Sequence, residues 1–239
     1  MTLPVAILAG GSATRLQPLT NSIPKALIEI NGEPFIAHQL RLLKQAGLQE
    51  IVICTWYRSD QILAFTGDGS KFGVKLSYSF DGETPLGTGG AIYKALPLIG
   101  SPFFVLYGDS FLNCNYQAIE LAHYSSQKKG LMTIYRNNNE GDRSNVEFSN
   151  GKIMVYDKQN RSSKMKYIDY GLGILTASAF DPFPPEQYLD LSVIYQRLLG
   201  ENELTGYEVS ERFHEIGSFE GIIELETYLK SKMEREASK

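Results

Sequence analysis

The apolar residues in the first half of the chain form short runs, separated by polar and glycine-rich segments. Continuous apolar runs at residues 5–9, 51–55 and 103–107 predict buried strands. Residues 75–80 alternate between apolar and polar positions, which is the pattern of a half-buried strand. All four runs have the length of a strand, so we expect them to form a sheet.

Segments with the spacing of helices lie between these strands. Pro34 stands where the first residue of a helix would, and Gly47 marks the end of that helix. Shorter helices are predicted at residues 59–65 and 91–98. Strands that alternate with helices are typical of βαβ units, so the pattern predicts an α/β fold with a mostly parallel sheet flanked by helices.

The second half of the chain has a less regular pattern. Helices are predicted at residues 116–126, 191–199 and 219–230, and strands at residues 131–136, 146–148, 153–156 and 167–175. The chain contains no internal repeat, low-complexity segment or clear linker. We therefore expect one domain over residues 1–239.

Composition and charge exclude several classes of function. The formal net charge is -4 and the basic residues are scattered, so we expect no nucleic-acid partner and no anionic membrane partner. No apolar run is long enough to span a membrane, and the N-terminus lacks the pattern of a secretory signal, which leaves the cytoplasm as the expected location. The two cysteines and three histidines have neither redox nor metal-ligand spacing.

A glycine-rich loop, L-A-G-G-S-A-T-R-L, directly follows the first strand. Gly10 and Gly11 allow the backbone to approach a ligand, and their amides can turn toward an anion. Thr14 adds a hydroxyl and Arg15 a planar cation that matches two phosphate oxygens. The loop is therefore a candidate triphosphate site, although an ordinary β-to-α turn with a surface arginine is the alternative.

Two other positions have chemistry that suits a nucleotide. The glycine-rich segment at residues 86–90 precedes the predicted helix at 91–98, where backbone amides can meet a base or ribose; an ordinary helix N-terminus is the alternative. Asp109 follows the buried strand at 103–107, at the carboxyl edge of the sheet where open α/β folds bind ligands. A carboxylate there suits Mg²⁺, and an aspartate that begins a surface turn is the alternative.

The order of these motifs resembles one enzyme family. The pattern L-A-G-G-x-x-T-R-L-x-P-L-T followed by P-K-A-L is similar to the opening of the sugar-1-phosphate nucleotidyltransferases, and the resemblance extends over nearly the whole chain. Its later motifs are P-L-G-T-G-G-A at residues 85–91, G-D-S at 108–110, Y-D-K at 156–158 and E-I-G-S at 215–218. The resemblance implies a Rossmann-like fold of the nucleotide-diphospho-sugar transferase type.

The resemblance also implies how the domain is divided. A nucleotide-binding half would occupy about residues 1–115, and a sugar-phosphate-binding half about residues 116–239. The sequence ends soon after the predicted helix at 219–230, so we expect no added β-helix domain. A homodimer is compatible with the sequence, which does not fix the oligomeric state.

The family motifs imply roles for residues that contact the nucleotide and the metal. Arg15 would face the phosphates of the leaving pyrophosphate, Lys25 would lie near the α-phosphate, and Asp109 would act in catalysis and bind Mg²⁺. Glu215 stands where the family usually has a second metal-binding aspartate. The residues implied in nucleotide binding are Leu8, Ala9, Gly10, Gly11, Thr14, Glu83, Gly87 and Thr88.

Four further residues would bind the sugar phosphate: Lys158, Asn145, Asp169 and Gly171. Lys158 matches a lysine of the family in a short E-K-P-like segment, which reads D-K-Q here, and a surface lysine is the alternative. Asn145 stands where the family often has glycine, and Asp169 where an asparagine commonly contacts sugar hydroxyls. These departures put the identity of the sugar in doubt.

The implied reaction is attack of a sugar 1-phosphate on the α-phosphorus of a nucleoside triphosphate, with release of pyrophosphate. The run G-D-G-S-x-F-G-V and the following P-L-G-T-G-G-A-I look most like the D-glycero-D-manno-heptose 1-phosphate guanylyltransferases, which favours GTP and a heptose 1-phosphate. The same region also resembles the uridylyltransferases that act on N-acetylmuramate 1-phosphate. A non-catalytic nucleotide-sugar-binding regulator and a glycosyltransferase are alternatives from other classes.

Overall fold

The computed structural model describes residues 2–11, 13–137 and 143–237 of the 239-residue chain. Its helices are α1 (Phe35–Gln45), α2 (Ser59–Thr66), α3 (Gly87–Ile99), α4 (Tyr116–Ser126), α5 (Leu191–Gly200) and α6 (Phe219–Ala237). Its strands are β1 (Val5–Leu8), β2 (Glu29–Ile30), β3 (Glu33–Pro34), β4 (Glu50–Thr55), β5 (Lys75–Phe80), β6 (Phe103–Tyr107), β7 (Ser110–Phe111), β8 (Gly130–Arg136), β9 (Val146–Ser149), β10 (Lys152–Tyr156), β11 (Tyr167–Leu175), β12 (Leu204–Val209) and β13 (His214–Glu215).

One mixed sheet of nine strands runs through the described part of the chain. Strands β5, β4, β1 and β6 are adjacent and parallel, as the continuous apolar runs predict. Strand β11 pairs antiparallel with β6 on one side and with β8 on the other, and β12 pairs parallel with β8. The β9–β10 hairpin joins the beginning of β11.

Both faces of the sheet are covered by helices. Along β1, Val5 and Ile7 belong to one buried cluster with α1, α2 and α4, while Ala6 belongs to a second cluster with α3 and α5. Such alternation is the consequence of successive side chains that point to opposite faces of a strand. The central strand β1 is therefore covered on both faces.

A smaller apolar cluster ties the end of the chain to the glycine-rich loop. It includes Leu16 and Ile30 from the segment after β1, Phe111 of β7, Ile216 directly after β13, and Leu225 of α6. Strands β7 and β13 pair antiparallel beside this cluster. The cluster thus holds the residues after β6 against the residues after β12.

The sequence predicted most elements within one or two residues, and two differences have physical causes. The helix predicted at residues 91–98 begins at Gly87, because the carbonyl oxygen of Leu189 accepts hydrogen bonds from the amides of Gly89 and Gly90, at 2.8 and 3.1 Å. Strand β12 was not predicted, since its sequence L-T-G-Y-E-V contains a glycine and mixed polarity. None of the helices within the described residues is long and apolar enough to cross a membrane.

Candidate active site

A cavity of about 410 Å³ lies at the carboxyl ends of the parallel strands β1, β4, β5 and β6. This is the edge at which open α/β sheets bind ligands. The predicted site residues that line it are Leu8, Ala9, Gly10, Gly11, Lys25, Gly87, Thr88 and Asp109. The glycine-rich loop and the first turn of α3 therefore face one common space, as expected for a nucleotide site.

Several residues that line this first cavity were not predicted. Trp56 directly follows β4 and Asp81 directly follows β5, so both occupy the strand-end position that drew attention to Asp109. Tyr188 also lines the cavity, with 71% of its surface exposed, and it comes from the loop before α5. Ligands bind beyond the carboxyl ends of the strands in open α/β sheets, and this rule identifies Trp56 and Asp81. No sequence signal identifies Tyr188.

Asp81 lines the first cavity together with Trp56, Pro85 and Tyr188. One of its oxygens accepts a hydrogen bond from the Leu86 amide at 2.9 Å. Burial raises the pKa of Asp81, while the Leu86 hydrogen bond and the charge of Lys94 oppose that rise. A half-buried carboxylate thus stands among apolar and aromatic side chains.

Two oppositely charged residues that line the first cavity, Lys25 and Asp109, form an ion pair. The ammonium of Lys25 lies 2.7 Å from Oδ2 of Asp109, and their side chains are only 14% and 34% exposed.

Gly108 is required in the turn before Asp109, because a side chain there would overlap the carbonyl oxygen of Leu8. Buried Gln39 donates from Nε2 to the carbonyl oxygens of Tyr107, at 3.2 Å, and of Ser110, at 2.7 Å. The turn that carries Asp109 is therefore fixed from both sides.

The β7–β13 pairing brings Glu215 to Asp109. The Ile216 amide donates to the carbonyl oxygen of Asp109 at 3.0 Å. The carboxylate of Glu215 accepts hydrogen bonds from the Gly217 amide and the Ser218 hydroxyl. A methyl group built on Gly217 would lie 3.2 Å from Nη2 of Arg15 and 3.2 Å from Nζ of Lys25, so two cations and two carboxylates converge.

A second cavity, of about 180 Å³, adjoins the first. All four predicted sugar-phosphate residues line it, together with Arg15, Asp109 and Glu215; the four are Lys158, Asn145, Asp169 and Gly171. Tyr107 and Asp109 line both cavities. The two spaces therefore meet beside the cluster of charges, as a two-substrate reaction requires.

Hydrogen bonds hold the polar residues of this second cavity in place. Oδ1 of buried Asn145 accepts from the Asp169 amide at 2.9 Å. The carboxylate of Asp169 accepts from the Tyr156 hydroxyl and from the Gly171 amide, both at 3.1 Å. Burial, with the nearby charge of Asp169, raises the pKa of Tyr156, so this hydroxyl remains a donor. The residues that depart from the family pattern thus form one network.

Three predicted nucleotide-binding residues have other surroundings. Thr14 and Glu83 are exposed and line neither of the two cavities. Thr88 lines the first cavity, but its hydroxyl accepts a hydrogen bond from the Leu191 amide at 2.8 Å, at the start of α5. The functional roles assigned to these residues stay predictions.

Asp109 and Glu215 fit a magnesium ion that takes most of its ligands from substrate and water. Mg²⁺ is commonly held by one or two carboxylates together with phosphate oxygens, rather than by a complete protein cage. Accordingly, residues 2–11, 13–137 and 143–237 contain no group of three or more histidine, cysteine, aspartate or glutamate side chains arranged for a metal. Because Lys25 is bound to one oxygen of Asp109, a metal ion at Asp109 would share or replace that contact.

Comparison with known proteins agrees with this architecture. A model of the nucleotidyl transferase family matches residues 5–160. An N-acetylmuramate alpha-1-phosphate uridylyltransferase from Neisseria meningitidis is 31% identical over 218 residues, which are 89% of this chain and 92% of that protein. A D-glycero-alpha-D-manno-heptose 1-phosphate guanylyltransferase from Campylobacter jejuni is 28% identical over 197 residues, 82% of this chain and 84% of that protein.

The fold has a close structural counterpart. The crystal structure of HddC from Yersinia pseudotuberculosis superposes on this chain with a TM-score of 0.79 and 22% sequence identity. The match covers 95% of this chain and 100% of that one. This likeness shows a shared fold, and the family match shows shared ancestry. The chain belongs to the nucleotidyl transferase family and is a sugar-1-phosphate nucleotidyltransferase.

Proposed function

We propose that the enzyme transfers the guanylyl group of GTP to a heptose 1-phosphate and releases pyrophosphate. The observation that carries the choice of nucleotide is the carboxylate of Asp81 in the first cavity, beside Trp56 and Tyr188. A base would be held among these side chains, and the phosphates beside Lys25, which lines the same cavity. The choice of nucleotide therefore depends on which base can donate the better hydrogen bonds to a carboxylate.

Guanine complements a carboxylate better than uracil does. An ionised carboxylate is an acceptor only, and its two oxygens can receive two hydrogen bonds. Guanine presents N1–H and its amino group side by side, whereas uracil presents one N–H between two carbonyl oxygens. Because the Leu86 amide binds one oxygen of Asp81 from the side, that amide also fixes the orientation of the carboxylate. The cavity thus favours GTP over UTP.

The protein residues position two anions and stabilise the charge that develops on the leaving group. Arg15 presents a planar guanidinium to the departing phosphates, and Lys25 presents a compact ammonium to the α-phosphate. The second pKa of a phosphate monoester is about 6, so the sugar phosphate needs no general base near neutral pH. Catalysis then depends on orientation and on charge stabilisation.

Magnesium completes the proposed site. Asp109 and Glu215, which converge through the β7–β13 pairing, would hold the ion. When bound, Mg²⁺ neutralises charge on phosphate oxygens and orients them. The Lys25 ammonium, released from Asp109, would then be free for the α-phosphate.

The sugar-side network supports a hydroxyl-rich substrate. Asp169 is an acceptor that is held by Asn145, Tyr156 and Gly171, and it can accept hydrogen bonds from sugar hydroxyls. Lys158 would bind the phosphate of the sugar. A relative from Campylobacter jejuni is named for a heptose 1-phosphate, which is the reason we favour that sugar.

One second candidate has a specific observation in its favour. The Neisseria meningitidis relative is named as a uridylyltransferase for N-acetylmuramate alpha-1-phosphate, and the match covers 92% of it at 31% identity. Uridylyl transfer to N-acetylmuramate 1-phosphate, or to another hexose 1-phosphate, is therefore the alternative.

The test is pyrophosphate release with Mg²⁺ across GTP, UTP, CTP, ATP and dTTP, each paired with heptose, mannose, glucose and N-acetylmuramate 1-phosphates. We expect GTP with the heptose to exceed UTP with any sugar by about tenfold or more in kcat/KM, since a mismatched hydrogen-bonding edge costs at least that much. A maximum for UTP with N-acetylmuramate 1-phosphate would overturn the proposal in favour of the alternative. Nucleotide binding without turnover of any pair would instead indicate a regulator.

A further inference from the structure

Tyr107 stands in the wall between the two cavities. It is the last residue of β6, and it lines both spaces, as Asp109 does. Its main chain pairs with Leu8 of β1, and its carbonyl oxygen accepts a hydrogen bond from Gln39. The position of the ring is therefore set by the central part of the sheet.

The ring of Tyr107 packs against the backbone of β11. A methyl group built on Gly171 would lie 3.3 Å from Cδ2 of Tyr107 and 3.1 Å from Oγ of Ser110. Gly171 also has a φ angle of +86°, a conformation that side chains other than glycine rarely adopt. The absence of a side chain at this position lets the tyrosine fill the space between the strands.

The phenol of Tyr107 contacts Lys158. The Lys158 ammonium donates a hydrogen bond to the Tyr107 hydroxyl oxygen at 3.3 Å. The same ammonium lies 5.4 Å from the centre of the Tyr107 ring and 5.9 Å from that of Tyr156, both within the range of cation–π attraction. In the part of the chain that the structure describes, Lys158 forms no ion pair with a carboxylate.

A carboxylate partner neutralises the positive charge of a lysine, whereas an uncharged hydrogen-bond partner leaves that charge in place. A tyrosine phenol has an ordinary pKa of about 10, so it is uncharged near neutral pH. The hydroxyl oxygen and the ring therefore restrict the flexible lysine without cancelling its positive charge. That charge remains available to an anion in the second cavity.

We propose that Tyr107 is a positioning residue for the sugar 1-phosphate, because its phenol holds the Lys158 ammonium at the boundary of the two cavities. The inference rests on the role proposed above for Lys158. Tyr107 acts through that lysine and need not contact the substrate itself. Its effect should therefore appear in the affinity for the sugar phosphate and not in the affinity for the nucleotide.

The experiment is a double-mutant cycle with Tyr107→Phe and Lys158→Ala, assayed with GTP and heptose 1-phosphate or with the pair that the substrate grid selects. Tyr107→Phe keeps the ring and removes one hydrogen bond to a charged group, so we expect KM for the sugar phosphate to rise about fivefold to tenfold. The value of kcat and the KM for the nucleotide should change less than about twofold. In the Lys158→Ala background, Tyr107→Phe should have almost no further effect.

Tyr116→Phe is the matched control. Tyr116 is buried on α4, lines neither cavity, and donates its hydroxyl to the Leu112 carbonyl oxygen at 2.9 Å. This variant loses a tyrosine hydroxyl bond in the core, and its KM values should match those of the unmodified enzyme. Melting temperatures of the variants separate any loss of stability from the kinetic effect.

The possible results test the positioning role of Tyr107 separately from the proposed role of Lys158. If Lys158→Ala raises KM for the sugar phosphate but Tyr107→Phe does not, the role of Lys158 stands and the inference is wrong. An equal effect of Tyr107→Phe with and without Lys158 would also overturn it, since the phenol would then act independently. If Lys158→Ala leaves that KM unchanged, the proposed role of Lys158 fails, and the inference fails with it.

Discussion

The two cavities are built in different ways. In the first, residues that line the space follow directly after parallel strands: Ala9 after β1, Trp56 after β4, Asp81 after β5. In the second, Asp169 and Gly171 lie inside strand β11, and their neighbours come from other strands and loops. The first cavity thus lies where parallel strands end, whereas the second combines the interior of one strand with residues from strand ends and loops.

This difference has a consequence for how each substrate is recognised. Four glycines line the first cavity, Gly10, Gly11, Gly87 and Gly108, and their exposed main chain is positioned by the fold itself. The second cavity depends on side chains that hold one another, such as Asn145, Asp169 and Tyr156. We therefore expect sugar specificity to change with single substitutions more readily than phosphate binding does.

The largest effect is expected at Asp109, one of the two residues that line both cavities. Asp109→Ala should lower kcat by about 10³-fold or more, because a metal ligand contributes several kcal/mol to charge stabilisation in the transition state. Loss should occur with every nucleotide and sugar pair, and it is measured as pyrophosphate release at saturating Mg²⁺.

Asp68→Ala is the control for this change, since Asp68 is an exposed aspartate in the turn before β5. Its activity should match that of the unmodified enzyme. A decrease of less than about tenfold for Asp109→Ala would contradict the metal assignment, because it corresponds to only about 1.4 kcal/mol.

An intermediate effect is expected for a substitution confined to the nucleotide cavity. Asp81→Asn replaces one acceptor oxygen by a donor, so kcat/KM with GTP should fall by about tenfold to a hundredfold, with little change in KM for the sugar phosphate. Glu83→Gln provides the comparison, and it should have the smaller effect because Glu83 lines neither cavity. A larger loss for Glu83→Gln would assign base recognition to the residue that the family resemblance implies.

The smallest effect concerns stability in acid. Burial lowers the pKa of His123, and burial together with Arg212 lowers that of His214, against a smaller opposing effect of Glu224. In the unfolded chain both histidines bind protons near their ordinary pKa of 6.5. Their contribution to stability is therefore complete above that pH and is lost as the pH falls toward their lowered folded-state values.

Both of these histidines lie in the second half of the chain, so acidification should loosen that half first. We expect amides of α4 and β13, which contain the two histidines, to lose protection from hydrogen exchange between pH 7.5 and 5.5, before those of β1 and β4. His123→Phe removes one of the two groups and should reduce the pH dependence of the melting temperature. An unchanged pH dependence in this variant would show that other groups cause the acid sensitivity.

The sequence predicted the parallel half of the fold well, for a physical reason. Strands β1, β4 and β6 are buried on both faces, so each is a continuous apolar run that ends at a polar or glycine residue. The start of α3 was harder, because glycines are poor helix formers and the distant Leu189 carbonyl stabilises that turn. Helix propensity depends on neighbouring residues in the sequence, so it cannot predict a contact with a loop that is distant in the sequence.

The candidate site was predicted in part. Motifs identified Arg15, Lys25 and Asp109, which the structure brings together with Glu215. The same strand-end reasoning applied to β4 and β5 would have added two more residues of the first cavity. The Tyr107–Lys158 contact could not be foreseen, because it joins the end of β6 to the segment after β10 across the sheet.

The β7–β13 pairing also bears on the order in which the enzyme becomes competent during its synthesis. Residues of β7 leave the ribosome long before those of β13, although the two strands must pair to bring Asp109 and Glu215 together. A nascent chain that ends before β13 can carry the glycine-rich loop and Lys25 while it still lacks the second carboxylate. The predicted pair of metal-binding carboxylates therefore awaits a late segment of the polypeptide, even though most of the residues that line the first cavity are translated early.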